Sequence, residues 1–160
     1  MTELVVPRGA AARIAAETRL AGRERAETGG FLLAPHDGPV AVLALAGVRG
    51  VRRERDLFQV GSLALAALFE WTEDHDLTVV AQWHSHRRDA FLSLTDLQHG
   101  FNVPGFYTAV VPNYAAPSAD PADWGWWVFD GGAWTPVPPA AHHELDHAVV
   151  TFEEGGVHDG

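Results

Sequence analysis

Two stretches of helix-forming residues, 9–26 and 62–74, stand among short β-branched and aromatic runs, and that alternation constrains the fold more than any other feature of the chain. The first, GAAARIAAETRLAGRERA, is broken by Gly29-Gly30, after which Phe31-Leu32-Leu33 reads as a short buried strand. Val40–Val48, Leu57–Val60, Thr78–Trp83, Phe106–Val111, Trp126–Phe129 and Ala133–Val137 read as further strands, with Arg49–Asp56 a charged connection. Residues 62–74 open with a serine able to cap a helix and carry a broad apolar face. The expectation is a single α/β domain with a mixed β-sheet flanked by helices, over residues 1–140. After Pro138-Pro139, residues 141–160 read as an acidic, His-rich C-terminal tail, poorly ordered in part.

At 160 residues the chain is long enough for one hydrophobic core. No apolar run is long enough to span a bilayer, and the opening MTELVVPRGAAARIAAE lacks the apolar segment and cleavage site of a signal peptide, so a cytoplasmic protein is expected. The formal net charge of -10 argues against nucleic acid as a partner. All 11 basic residues are arginine. Cysteine is absent, which excludes disulfides and thiolate chemistry and leaves His, Asp and Glu as the available metal ligands.

The densest signal follows from that restriction. His84 and His86 are two apart at the end of a predicted strand, where alternate residues share a face, so both imidazoles can reach one ion. Asp96 follows a short loop and offers the third ligand. Two histidines and a carboxylate leave the fourth position of a tetrahedral zinc open. Each half also has an ordinary structural reading: His-x-His arises by chance in a chain with 9 histidines, and Ser93-x-x-Asp96 is a common helix N-cap.

The third element is Glu27-Thr28-Gly29-Gly30-Phe31-Leu32-Leu33-Ala34. Taken together, Glu27, Gly30, Phe31, Leu32, His84, Ser85, His86, Ser93 and Asp96 resemble the motif of the JAMM, or MPN-plus, metallopeptidases in their prokaryotic JAB branch, over residues 10 to 130. The resemblance implies an MPN/JAB-domain fold, similar to cytidine deaminases in architecture, and Zn2+ held by His84, His86 and Asp96. It implies Glu27 as the base that activates a zinc-bound water and Ser93 as the donor to the developing oxyanion. The implied substrates are peptide or isopeptide bonds after the Gly-Gly tail of a ubiquitin-like or sulfur-carrier protein. A non-catalytic MPN-like scaffold is the alternative. Three positions depart from the family: Arg87 stands where a Pro is usual, Arg87–Leu92 supply six residues in place of seven, and Ala34 replaces a closing Gly.

Other features compete for attention. His143-Glu144-Leu145-Asp146-His147 matches the H-E-x-x-H zincin motif, which needs a helix to bring its histidines together; its Pro-rich approach makes that context poor. Trp124, Trp126 and Trp127 read as core packing with one ring exposed. Arg49, Arg52, Arg53 and Arg55 read as a solvated loop that can also face an acidic partner, and His99 as an exposed helix residue or a neighbour of the metal site.

Overall fold

The computed structural model describes residues 3–160. Their main sheet has eight strands in the order β12-β11-β3-β2-β6-β7-β8-β9. In chain order these are β2 (Gly29–Ala34), β3 (Val42–Ala46), β6 (Thr78–Ser85), β7 (Tyr107–Val111), β8 (Gly125–Asp130), β9 (Ala133–Pro136), β11 (Ala148–Glu153) and β12 (Gly156–Asp159). The sheet is mixed: β6 runs parallel to β7 and β11 parallel to β3, while β2 is antiparallel to both β3 and β6. A short parallel pair joins β1 (Val5–Pro7) to β10 (Ala141–His143). β4 (Val51–Glu54) and β5 (Leu57–Val60) form a separate hairpin.

Helix α1 (Arg8–Arg23) covers one face and α2 (Ser62–Asp74) the other. Alternation along the strands divides the core accordingly. Leu32, Leu43, Leu45, Trp83 and Ala109 pack with Ala10, Ala11 and Ile14 of α1. Phe31, Leu33, Val42, Ala44 and Phe152 pack with Ala64 and Leu68 of α2. This is the expected single α/β domain, a mixed sheet flanked by helices. Trp124 and Trp126 are buried as expected, stacked 6.0 Å apart, and their indole N–H groups donate to the carbonyls of Ser118 and Pro121.

Two segments depart from the sequence reading. Residues 141–160 are no appended tail: β11 lies beside β3 inside the sheet and Phe152 is fully buried. The His and acidic residues around it set the composition, but Val150 and Phe152 alternate into the core and supply the driving force. The charged connection 49–56 is also more ordered than expected. Its period of two, with Val51 and Arg53 half-buried against exposed Arg52 and Glu54, is that of a strand. Among the described residues no helix is long and apolar enough to cross a membrane.

Candidate metal centre

Strand β6 carries the site. Its residue His84 lies between Gly29 of β2 and Val110 of β7, while Trp83 and Ser85 point into the opposite, α1-side of the sheet. The chain continues one residue beyond the strand under control: the His86 amide donates to the Val111 carbonyl at 2.9 Å, and the His86 carbonyl accepts from Tyr114 at 3.1 Å. His84 and His86 therefore project side by side, ring centres 5.1 Å apart and both buried. Gly29 and Gly30 permit the close packing behind them. A Cβ on Gly30 would stand 2.1 Å from the Ala44 carbonyl oxygen, so no side chain is tolerated there without moving β3.

Asp96 reaches the histidines from the first turn of α3 (Leu94–His99). Its Oδ2 is 3.2 Å from His84 Nε2 and 3.2 Å from His86 Nε2. The same oxygen accepts the Ser93 N–H at 2.8 Å, while Ser93 Oγ accepts the Asp96 N–H at 3.1 Å, a complete capping box. The ordinary reading of Ser93-x-x-Asp96 as a helix cap and its reading as part of a metal site are both realised, through one carboxylate.

The three residues fit a metal ion on their own geometry. Four ligands at about 2.0–2.1 Å around a tetrahedral zinc stand about 3.3–3.4 Å from one another, and both His–Asp separations are 3.2 Å. His84 Nε2 is buried and makes no hydrogen bond despite its nearness to Asp96, so it lies at coordination distance without hydrogen-bond alignment. His86 is oriented from behind: its Nδ1 lies 3.0 Å from the Asp89 carbonyl, which fixes that nitrogen as the donor and leaves Nε2 for a ligand. Among the described residues this is the group of His, Asp and Glu side chains whose ligand atoms converge, all within 4.8 Å. The motif at His143–His147 does not form one. His143 ends β10, residues 144–147 are not helical, and in extended chain an i, i+4 pair stands about 13 Å apart, too far to share an ion.

The cluster holds charge by mutual support. Burial works against ionised Asp96, yet the two histidines and the Ser93 amide outweigh it and hold the carboxyl well below the usual range. Burial likewise opposes a charged His86, but the hydrogen bond to Asp96 and the charge of Glu27 outweigh it and raise the imidazole above its ordinary value. The His86 proton facing Asp96 is what a metal would displace.

Glu27 follows α1 after a turn in which Arg25 adopts φ 54°. Its amide donates to the Glu54 carbonyl at 2.8 Å, and the next residue, Thr28, exchanges hydrogen bonds with Ser85. Arg53 of β4 reaches across to Thr28 Oγ1 and to the carbonyls of Ala46 and Gly47, tying the hairpin to the segment that presents Glu27. The Glu27 carboxyl is buried, and desolvation pushes its pKa up to about 8; Asp96 and Asp56 add to the rise and His86 opposes it. Glu27 and His86 line a cavity of about 360 Å³ together with Ser93, Phe91, Arg87 and Arg88. The Ser93 hydroxyl, having accepted the Asp96 amide through a lone pair, keeps its hydrogen free to donate.

The departures from the motif leave this arrangement intact. The six-residue loop still delivers Ser93 and Asp96, and Arg87, in the usual place of Pro, extends to Asp56 at 3.8 Å. Arg49 and Arg52 are engaged by Glu153 and Glu54, and Arg53 turns inward, so of that basic stretch only Arg55 stays exposed and free of a partner among the described residues. The His99 side chain lies outside what the structure describes. The hairpin's hold on Glu27 and the Asp89 carbonyl behind His86 went unread in the sequence; backbone acceptors leave no residue signature, whereas the 51–54 alternation does.

No family model matches the sequence, and no curated protein matches it. Solved structures do. A protein from Desulfitobacterium hafniense, known from a solution structure, superposes with a TM-score of 0.63 at 13% identity, over 94% of both chains. A solution structure from Salinibacter ruber gives 0.50 at 24% identity, over 92% of this chain and all of the other. The crystal structure of a JAB1/MPN domain protein from Archaeoglobus fulgidus gives 0.51 at 16% identity, over 89% of this chain and 97% of that one. The fold of this chain is thus similar to that of a JAB1/MPN domain.

Proposed function

We propose that this protein is a zinc-dependent hydrolase of peptide or isopeptide bonds that cleaves after the Gly-Gly tail of a ubiquitin-like or sulfur-carrier protein. The observation that carries the reading is the convergence of His84, His86 and Asp96 beside a buried glutamate, Glu27, on the wall of an open cavity. A buried carboxyl on a cavity wall with its pKa pushed up to about 8 is the kind of group that an acid–base catalyst uses.

A zinc ion held by the three residues supplies Lewis acidity, making water more acidic and the scissile carbonyl more electrophilic. Glu27, ionised, takes a proton from the attacking water and delivers it to the departing nitrogen as the C–N bond breaks. A cation nearby favours the ionised form of Glu27 that this role requires. Ser93 donates its hydroxyl hydrogen to the carbonyl oxygen as that atom gains charge. Asp89 keeps His86 in the tautomer that presents Nε2, and Arg53 keeps Thr28, and with it Glu27, against the hairpin. The tail's glycines let backbone pass where a side chain would clash.

Elemental analysis and a reporter fused behind Gly-Gly test this directly. The protein is expected to hold about one zinc per chain. His84→Ala and Asp96→Ala lose it, His143→Ala keeps it, and Glu27→Gln keeps it while losing hydrolysis. A zinc-loaded protein that cleaves no tail, whether Gly-Gly, Ala-Ala or Leu-Leu, would leave the scaffold reading in its place.

A further inference from the structure

Ser85 stands between the two ligand histidines, and its side chain is fully buried on the α1 side of the sheet. In a regular antiparallel pair, the facing residues of a hydrogen-bonded rung exchange two N–H to carbonyl bonds. Gly29 faces His84, so the next rung outward is Thr28 with Ser85. Half of its exchange is made, the Ser85 N–H donating to the Thr28 carbonyl at 2.9 Å. The other half is diverted: the Thr28 N–H donates at 2.9 Å to Ser85 Oγ and not to the Ser85 carbonyl. The hydroxyl in turn directs its own hydrogen at the Thr28 carbonyl, 3.4 Å away. A side chain has thus taken a main-chain place at the last rung before Glu27.

The diversion falls where the chain changes partners. One residue earlier, the Glu27 N–H donates to the Glu54 carbonyl of β4 at 2.8 Å, and Arg53 of β4 donates to Thr28 Oγ1 at 3.0 Å. Thr28 is therefore gripped from two sides, its amide by the strand that carries the ligands and its hydroxyl by the hairpin. His84 and His86 are held without Ser85 Oγ, through the pairing of β6 with β7 and the His86 amide on the Val111 carbonyl. We propose that Ser85 is a positioning residue, whose hydroxyl fixes the offset between Glu27 and the two histidines. A regular rung would draw Thr28 toward the β6 main chain and carry Glu27 with it. The role rests on the hydrolase reading above, and one arm of its test needs no turnover.

Ser85→Ala, which frees the Thr28 N–H to return to the Ser85 carbonyl, is compared with Ser85→Thr, which keeps the hydroxyl. Zinc content and zinc affinity are expected to be unchanged in both, which also reports that both fold. With the reporter behind Gly-Gly, Ser85→Ala is expected to lower kcat about 100-fold at unchanged KM, the cost of misplacing a reacting group by about 1 Å. Ser85→Thr is expected to recover most of that loss. A merely structural role would weaken zinc binding and leave kcat of the loaded protein alone. Nuclear magnetic resonance of the zinc-loaded proteins supplies the second arm: in Ser85→Ala the Glu27 amide and carboxyl-carbon signals move, the His84 and His86 ring signals stay, and Ser85→Thr restores the Glu27 signals. Unmoved Glu27 signals, zinc lost from Ser85→Ala, or full kcat in that variant overturns the proposal. Moved Glu27 signals beside a wild type that hydrolyses nothing would leave the hold of Ser85 on Glu27 standing and remove the hydrolase reading alone.

Discussion

Replacing Glu27 by glutamine should stabilise the metal-free protein, and more so as the pH rises. The buried carboxyl has a pKa near 8 in the folded chain against 4.5 as its ordinary value. Between those two pH values the native state holds a proton that the unfolded chain has lost, so stability falls as pH rises through the window, the reverse of the usual carboxylate. At roughly 1.4 kcal/mol per pH unit the gap amounts to about 5 kcal/mol once the pH passes 8. Glutamine has the shape of the protonated acid and no charge to desolvate, so the variant escapes that cost. Urea unfolding of chelator-treated wild type and Glu27→Gln, from pH 4 to pH 9, reads the difference. The two should agree near pH 4 and diverge steadily until about pH 8, then run parallel. With a urea m-value of about 2 kcal/mol/M, the midpoints end about 2.5 M apart. Zinc should narrow the gap, since a cation beside Glu27 favours its charge. A difference that is constant with pH, or a wild type that gains on the variant as pH rises, would refute the desolvation argument.

Ser93→Ala should separate two roles: loss of the cap lowers stability by about 1 kcal/mol in thermal or urea unfolding, and loss of the hydroxyl donor lowers kcat by about 100-fold. Ser93→Asp, which can cap but cannot donate when ionised, should recover the stability and not the rate. Gly30→Ala should cost about 3 kcal/mol or more, because the added Cβ meets the Ala44 carbonyl and neither strand can yield without disturbing the sheet; a melting temperature within a degree or two of wild type would contradict this. Phe152→Ala should cost about 3–5 kcal/mol in the same assay, as expected for a fully buried ring and not for a residue in a tail.

What could be read before folding followed the physics that leaves a mark on residue type. Strand and helix periods showed where β2, β6, β7, α1 and α2 lie, and cysteine's absence confined metal ligation to His84, His86, Asp96 and their like. Sheet order was not legible, since β11 joins β3 from more than a hundred residues away and nothing local encodes that pairing. The composition of residues 141–160 misled, because β11 buries only Val150 and Phe152, with Val149, Thr151 and Glu153 partly covered, and the residues that flank it are polar. The arrangement around His86 shows the same limit at atomic scale. Its ligand position is announced by His-x-His, but the acceptor that orients its ring is the main chain of Asp89.

The double engagement of Asp96 Oδ2 has a consequence for how occupancy of the site is felt elsewhere. A six-residue helix has too few internal hydrogen bonds to persist by propensity, so α3 depends on the capping box at its start. The oxygen that closes that box is also the one facing His84 and His86. An ion held by His84, His86 and Asp96 would fix this carboxylate in place and with it the cap of α3. Leu94 and Leu97 stand exposed along that helix, next to Phe91. With the carboxylate so fixed, the first turn of α3 would open less often, and slowed amide exchange over residues 94–99 would report a loaded centre without any substrate present.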